Sequence, residues 1–276
     1  MLARKLSGLS SSDIKFLIET VDPGLLDKMA LIQGDPLFVD RMLDDAVEKL
    51  YQRIVVLAED RILTQISPLL LFEVLLRKTS REIGAKPYIM ERTAGQRLPV
   101  FDTKDVADFL KNKAILRYLA DMLNSFTKTQ SFTLRVRVRK GIWRKLRFSD
   151  MDLNSLLRIC RNADDAEKFV YFKRIADLCL FILGIFPEYA SSNSNYFHPQ
   201  NQSNILRPVR PFHDFALEGP RFYKLAAQHT EAKILGLEEV FTQLHQKFML
   251  AKRPLNYISD NYLVFRRQKL FPSINN

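Results

Sequence analysis

Glycine is scarce in this chain of 276 residues, with nine in all. A β-sandwich or barrel, whose many tight turns consume glycine, is excluded on that count, as are the glycine-rich phosphate loops of nucleotide-binding folds. Cysteine is scarcer still. Cys160 and Cys179 stand far apart inside apolar helical patterns and match no metal-ligand or redox spacing, which predicts two buried free thiols in a reducing compartment. Four histidines occur, so acid–base chemistry would have to draw on those or on carboxylates. No His-Glu-x-x-His, Gly-x-Ser-x-Gly or Asp-rich metal loop is present, and neither metal nor cofactor is expected. Long apolar runs are missing too. The longest, Leu178 to Phe186, stops at Pro187 at about half the ~20 residues that a bilayer span requires. Residues 1 to 20 contain Arg4 and Lys5 but no apolar stretch of signal-peptide type. The expectation is a soluble cytoplasmic protein with no membrane contact.

What is present is ordinary globular material: 47% hydrophobic and 26% charged residues, enough apolar side chain for a core and too much for a disordered chain. The net charge of +11 points to an anionic partner only once it is located. Carboxylates outnumber cations over residues 1–60, whereas residues 131–150 carry seven Lys and Arg against one Asp. The excess is concentrated in one short segment.

Helical periodicity dominates the rest, which predicts a mainly α, multi-helix globular domain with a small β-hairpin element. Ser11, Ser12 and Asp13 cap IKFLIETV, and Pro23 suits the first turn of a second helix. Leu43, Val47, Leu50, Ile54 and Leu57 recur at spacings of three and four, one face of a single long helix. Ser67 and Pro68 start another, ended by Gly84. PYIMER and LPVF, separated by TAGQ, read as two short strands. Residues 103–126 read as one helix. SDMDLNSLLRIC and DDAEKFVYFKRIADLCLFILGIF add two more, the second apolar nearly all round toward its end and so central in the core. Residues 188–220, rich in proline and polar side chains, read as a long loop, and helix resumes after it. The chain is thus one domain with lobes 1–130 and 149–276 joined by a basic hairpin over 131–148.

That hairpin, FTLRVRVRKGIWRKLRF, is the strongest local pattern. Apolar and cationic residues alternate with a period of two, the mark of a strand with one face meant for a core. A two-residue turn at Lys140-Gly141 would mix apolar and cationic residues on each face. A three-residue turn, Arg139-Lys140-Gly141, pairs Val138 with Ile142, Leu134 with Leu146 and Phe132 with Phe148, and sets Arg137 against Trp143, Arg135 against Lys145 and Thr133 against Arg147. Like charges placed opposite one another destabilise a sheet, so an anion should compensate. Arg135, Arg137, Arg139, Trp143, Lys145 and Arg147 are therefore the candidate nucleic-acid- or anion-binding residues, with Trp143 able to stack on a base. Two other readings share the pattern: docking on the chain's own Asp40, Asp44, Asp45 and Glu48, and plain exposure to solvent. A winged helix would also place a basic hairpin after a recognition helix, but residues 103–126 would have to break near Asn112 with neither glycine nor proline there.

A secondary cluster, Arg207, Arg210, His213 and Asp214, lies in the long loop. Two arginines beside a histidine suit an anion, and His213 with Asp214 could serve as acid and base in an enzyme using that loop. Glu73 with Arg77, and Asp177 with Lys173 and Arg174, read as structural helix pairs. The leading expectation is a non-enzymatic intracellular interaction protein whose basic hairpin face meets nucleic acid or an acidic protein surface; no catalytic residue is assigned. The enzyme of the 188–220 loop is the alternative.

Overall fold

Short polar side chains start the helices by taking their first free amides. Ser10 accepts from the Asp13 amide while the Asp13 carboxylate accepts from the Ser10 amide, a reciprocal capping box at the head of α1 (Ser11–Val21). The other Asp13 oxygen accepts from the Ser67 amide at 2.7 Å. This fully buried carboxylate therefore ties the start of α1 to the cap of a helix more than fifty residues away.

The structure, a computed structural model, describes residues 8–56, 64–93, 96–128, 131–139, 142–149, 151–190 and 212–272, with the strands between 131 and 149 described as backbone. After α1 come a 3-10 turn (Pro23–Lys28), α2 (Met29–Gln33), α3 (Pro36–Asp45), α4 (Val47–Val56) and α5 (Pro68–Gly84). An antiparallel ribbon of β1 (Ile89–Thr93) and β2 (Gln96–Val100) follows, then α6 (Thr103–Lys111), α7 (Lys113–Phe126) and a second ribbon of β3 (Ser131–Arg139) and β4 (Ile142–Ser149). The chain continues through α8 (Leu153–Asn162), α9 (Asp165–Ile185), a 3-10 turn (Pro187–Ala190), α10 (Phe212–Gln228), α11 (Thr230–Ile234), α12 (Glu238–Gln246), α13 (Phe248–Asn261) and α14 (Arg267–Leu270).

The expected mainly helical fold is present, and α9 holds its centre. Every residue from Ile175 to Ile185 is buried, and this helix packs on α8, α10 and α13. The approach to α13 is backbone-close: a Cβ at Gly184 would stand 2.6 Å from the Leu255 Cβ, a position only glycine fills without displacement. The apolar cluster runs unbroken from Ile14 to Phe271, so both halves of the chain share one core. Phe271 is fully buried, stacked on Phe72 at 5.8 Å between ring centres and edge-on to Phe181 at 4.9 Å. Just before it, Arg267 lies over the Phe186 ring at 4.6 Å and donates to the Ile185 carbonyl at 2.8 Å. Cys160 and Cys179 are buried free thiols.

Five boundaries differ from expectation. Ser11 and Ser12 lie inside α1, whose cap is Ser10, and Pro23 opens a 3-10 turn ahead of α2 rather than an α-helix. The pattern read as one helix from Pro36 onward is interrupted at Ala46 (φ −101°, ψ 10°), and Leu57 lies outside the described residues. The helix read over 103–126 breaks at Asn112, whose backbone is extended (φ −68°, ψ 107°) and whose carboxamide oxygen accepts from the amides of Ala114 at 3.0 Å and Ile115 at 3.4 Å. An N-cap replaces the missing glycine or proline. Finally, residues 212–220 of the expected loop are the first turns of α10, and residues 187–190 are a 3-10 turn. Proline should stop a helix by clashing with the carbonyl four residues back. Here the seam of Phe215, Gly219, Phe222, Tyr223 and Ala226 buries the helix regardless, and the Pro220 carbonyl accepts from His245 Nδ1 at 3.0 Å.

Candidate functional site

The β3–β4 register pairs Phe132 with Phe148, Leu134 with Leu146, Arg135 with Lys145 and Arg137 with Trp143. These are the pairs that parity requires. At the tip the register shifts: Arg139 pairs with Ile142, leaving Val138 as the extra residue on its strand. A bulge thus absorbs the one-residue offset that a longer turn was expected to supply, and the cation-on-cation pairing below it is the same. The side chains of Arg135, Arg137, Arg139, Trp143, Lys145 and Arg147 lie outside the described residues. Beyond its own pairing, β4 meets α8.

The carboxylates considered as an internal dock for this hairpin have other partners. Arg77 of α5, with its side chain only 2% exposed, reaches Asp40 through Nη2 and Asp44 through Nε, each at 3.0 Å, and Glu73 through Nη1. Burial alone would lower the Arg77 pKa, but the Glu73, Asp44 and Asp40 carboxylates raise it overall. Asp40 also pairs with Arg117 at 2.7 Å, Asp44 with Lys113 at 2.5 Å, and Glu48 with Lys78 at 2.8 Å. Three of the four carboxylates are therefore committed to α5 and α7. The same pairs bear on the winged-helix reading. The corner at Asn112 exists, yet α7 buries Ile115, Leu116, Tyr118, Leu119, Met122, Leu123 and Phe126, and its outward Lys113 and Arg117 are held by α3. It offers no free cationic face to a major groove.

The secondary cluster does not converge. Arg207 and Arg210 lie outside the described residues. His213 is exposed and Asp214 half-buried in the first turn of α10, and adjacent helix positions point about 100° apart, so the two cannot close on one proton. Beside them, Phe212 lies beneath the ammonium of Lys252 at 4.9 Å. Lys252 is fully buried, paired with Glu91 of β1 and 3.2 Å from the Thr93 hydroxyl. Burial lowers its pKa although Glu91 opposes the shift. With no exposed surface this amine anchors β1 to α13 rather than meeting a substrate.

Asp177 is fully buried and accepts from the hydroxyls of Tyr118 at 2.5 Å and Tyr223 at 2.8 Å, and from Lys173 at 2.7 Å. Both tyrosines titrate well above their ordinary value because burial penalises the phenolate and Asp177 repels it. Arg174 turns away, over the Phe126 ring at 3.7 Å. Glu73 pairs with Arg77 and Asp177 with Lys173 on their own helices, and Asp177 also joins α9 to Tyr118 of α7 and Tyr223 of α10. Among the described residues no cluster of His, Cys, Asp and Glu could hold a metal ion, and no helix is long and apolar enough to cross a membrane. An open cavity of about 590 Å³ lies at the Asn112 corner, lined by Asp105, Asp108, Phe109, Ile115 and Lys247 among others.

Glu82 joins α5 to the far end of the chain, accepting from Tyr262 at 2.6 Å and Tyr257 at 2.7 Å and pairing with Lys78 at 3.0 Å. Burial pushes its carboxyl upward, but the two hydroxyls and the ammonium outweigh burial and hold its pKa below the usual 4.5. Such a group stabilises the fold fully above about pH 4.5 and loses that contribution as pH falls through the lower folded value. Urea unfolding from pH 6 to pH 3 should accordingly show a smaller acid-side loss in Glu82→Gln than in the parent; superimposable profiles would remove Glu82 from the linkage. Against known proteins the chain stands apart: no protein-family model, no curated protein and no solved structure matches it.

Proposed function

We propose that this chain is a non-enzymatic binding protein that holds nucleic acid through the basic ribbon of β3 and β4. The observation that carries the reading is the register, which places Arg135 opposite Lys145, Thr133 opposite Arg147 and Arg137 opposite Trp143. Opposed like charges raise the energy of an isolated ribbon, and a phosphate backbone relieves that repulsion while releasing counterions. The internal alternative is weakened by the ion pairs that already engage Asp40, Asp44 and Glu48. Trp143 adds a π-face for an unpaired base.

Changing Arg135, Arg137, Lys145 and Arg147 together to Gln tests this in oligonucleotide titrations across a salt series. The variant should fold, bind more weakly, and show a log affinity that depends less steeply on log salt, by about 0.7–0.9 for each phosphate that is no longer neutralised. Trp143→Ala should weaken single-stranded more than double-stranded ligand, by ~1–3 kcal/mol. An unchanged slope and affinity would sink the reading, and a loss of affinity for an acidic protein alone would assign the surface to protein.

A further inference from the structure

The other ribbon has a surface of a different kind. Met90 pairs with Pro99 and Ile89 with Val100; on β1 buried and exposed residues alternate, whereas Gln96, Arg97, Leu98 and Pro99 of β2 are all exposed. Ile89 and Glu91 are buried, whereas Tyr88, Met90, Pro99 and Phe101 are exposed, Phe101 by 72%. The Tyr88 and Phe101 rings lie 5.9 Å apart, and with Met90 and Pro99 they form one continuous apolar strip. Contiguous exposed apolar surface of this sort marks an interaction site. The ribbon beneath is held firmly: Glu91 pairs with Lys252 and Arg253, and Arg253 also engages Asp102.

Charge decides what the strip fits. The only acidic residues from Lys86 to Asp102 are Glu91 and Asp102, both already engaged from the α13 side. Neither of these two carboxylates stands on the outer face. Past Met90 and Pro99, Arg92 and Arg97 share the single carboxylate of Asp260, which leaves a net positive charge at that end. At the other, the exposed Lys86 donates to the Tyr257 hydroxyl, which in turn donates to Glu82, itself shared with Lys78 and Tyr262. An apolar strip with a cation at each end is complementary to an acidic segment bearing apolar side chains.

We propose that the outer face of β1 and β2 docks an acidic segment of a partner protein. Leucine or aromatic side chains of that segment seat on Tyr88, Met90, Pro99 and Phe101, and its carboxylates reach Arg92 and Arg97 on one side and Lys86 on the other. A second copy of this chain would bring like charges together at both ends, which disfavours self-association. Nucleic acid finds a poor platform, because Met90 and Pro99 at the centre offer no π-face and the two rings are inclined at 48° to each other. Pairing along the free edge of β2 is obstructed by Pro99, which has no amide hydrogen.

Fluorescence anisotropy with a short labelled peptide of glutamates interspersed with leucine and phenylalanine tests the proposal, alongside the same peptide with lysine for every glutamate. The glutamate peptide should bind about ten-fold or more tighter, and Met90→Asp with Phe101→Asp should weaken it by about ten-fold or more at an unchanged melting temperature. The quadruple Gln variant of the β3–β4 ribbon should bind the peptide as the parent does. Equal binding of the two peptides, indifference to the Asp variant, or weaker peptide binding by the Gln variant would each overturn the assignment. So would competition by a mixed-sequence oligonucleotide or by phosphatidylglycerol vesicles at equal charge, or a dimer that the Asp variant dissociates.

Discussion

Replacing Arg77 by Ala should lower the unfolding free energy by about 3–5 kcal/mol, the cost of leaving a buried carboxylate without its cation. The guanidinium joins two helices, bonding Glu73 on its own helix and Asp40 and Asp44 on α3. Its removal leaves Glu73 without the cation it was buried against, while Asp40 and Asp44 keep Arg117 and Lys113. The urea midpoint should fall with little change in slope. Adding Glu73→Gln should recover part of the stability, because the two residues act as a unit and their effects are not additive. A drop under about 1 kcal/mol, or strict additivity, would mean that water enters and solvates the site.

Phe271→Ala should be comparably severe, at about 3–5 kcal/mol, as large-to-small changes of a fully buried aromatic are. Its ring closes a cluster with Phe72, Phe181 and Phe186, and the neighbouring backbone is pinned by Arg267, which limits collapse into the space vacated. Phe265→Ala provides the control. That ring is 86% exposed, and its removal should move the melting temperature little. If the two variants melt alike, the terminal helix is detached in solution and the cluster is completed some other way.

Much of the fold was legible where one residue type has one structural use. Ser67 with Pro68 marks the start of α5 because a hydroxyl cap and a pre-set φ agree, and the alternation in FTLRVRVR admits one facing register. The expected ends failed where a signal was read too narrowly. Asn112 sits inside an apolar pattern that a straight helix could satisfy, yet asparagine is a strong N-cap, and its carboxamide does what glycine or proline was thought necessary to do. Pro220 was counted as a loop residue, although the aromatic seam from Phe215 to Tyr223 keeps helical spacing straight through it. The outer strip of β1 and β2 could have been found by the parity count applied to the other ribbon, since Tyr88 and Met90 alternate with Ile89 and Glu91. What no local pattern announces is the long-range polar bonding. That Lys252 seeks Glu91, or that Tyr118 and Tyr223 share Asp177, depends on which helices meet, and sequence spacing is silent on that.

The position of Phe271 also fixes an order of events. A chain made from its amino end presents Phe72 long before residue 271 exists, so the central aromatic cluster stays open while the residues between them are made. Helices α5, α7 and α9 can gather early, yet their final packing waits for residue 271, and until then Phe72, later joined by Phe181 and Phe186, is exposed to whatever else is in reach. At about 5–20 residues per second, the stretch between the first and last of these rings lasts roughly ten to forty seconds. The nascent protein therefore has good reason to be shielded until Phe271 is in place.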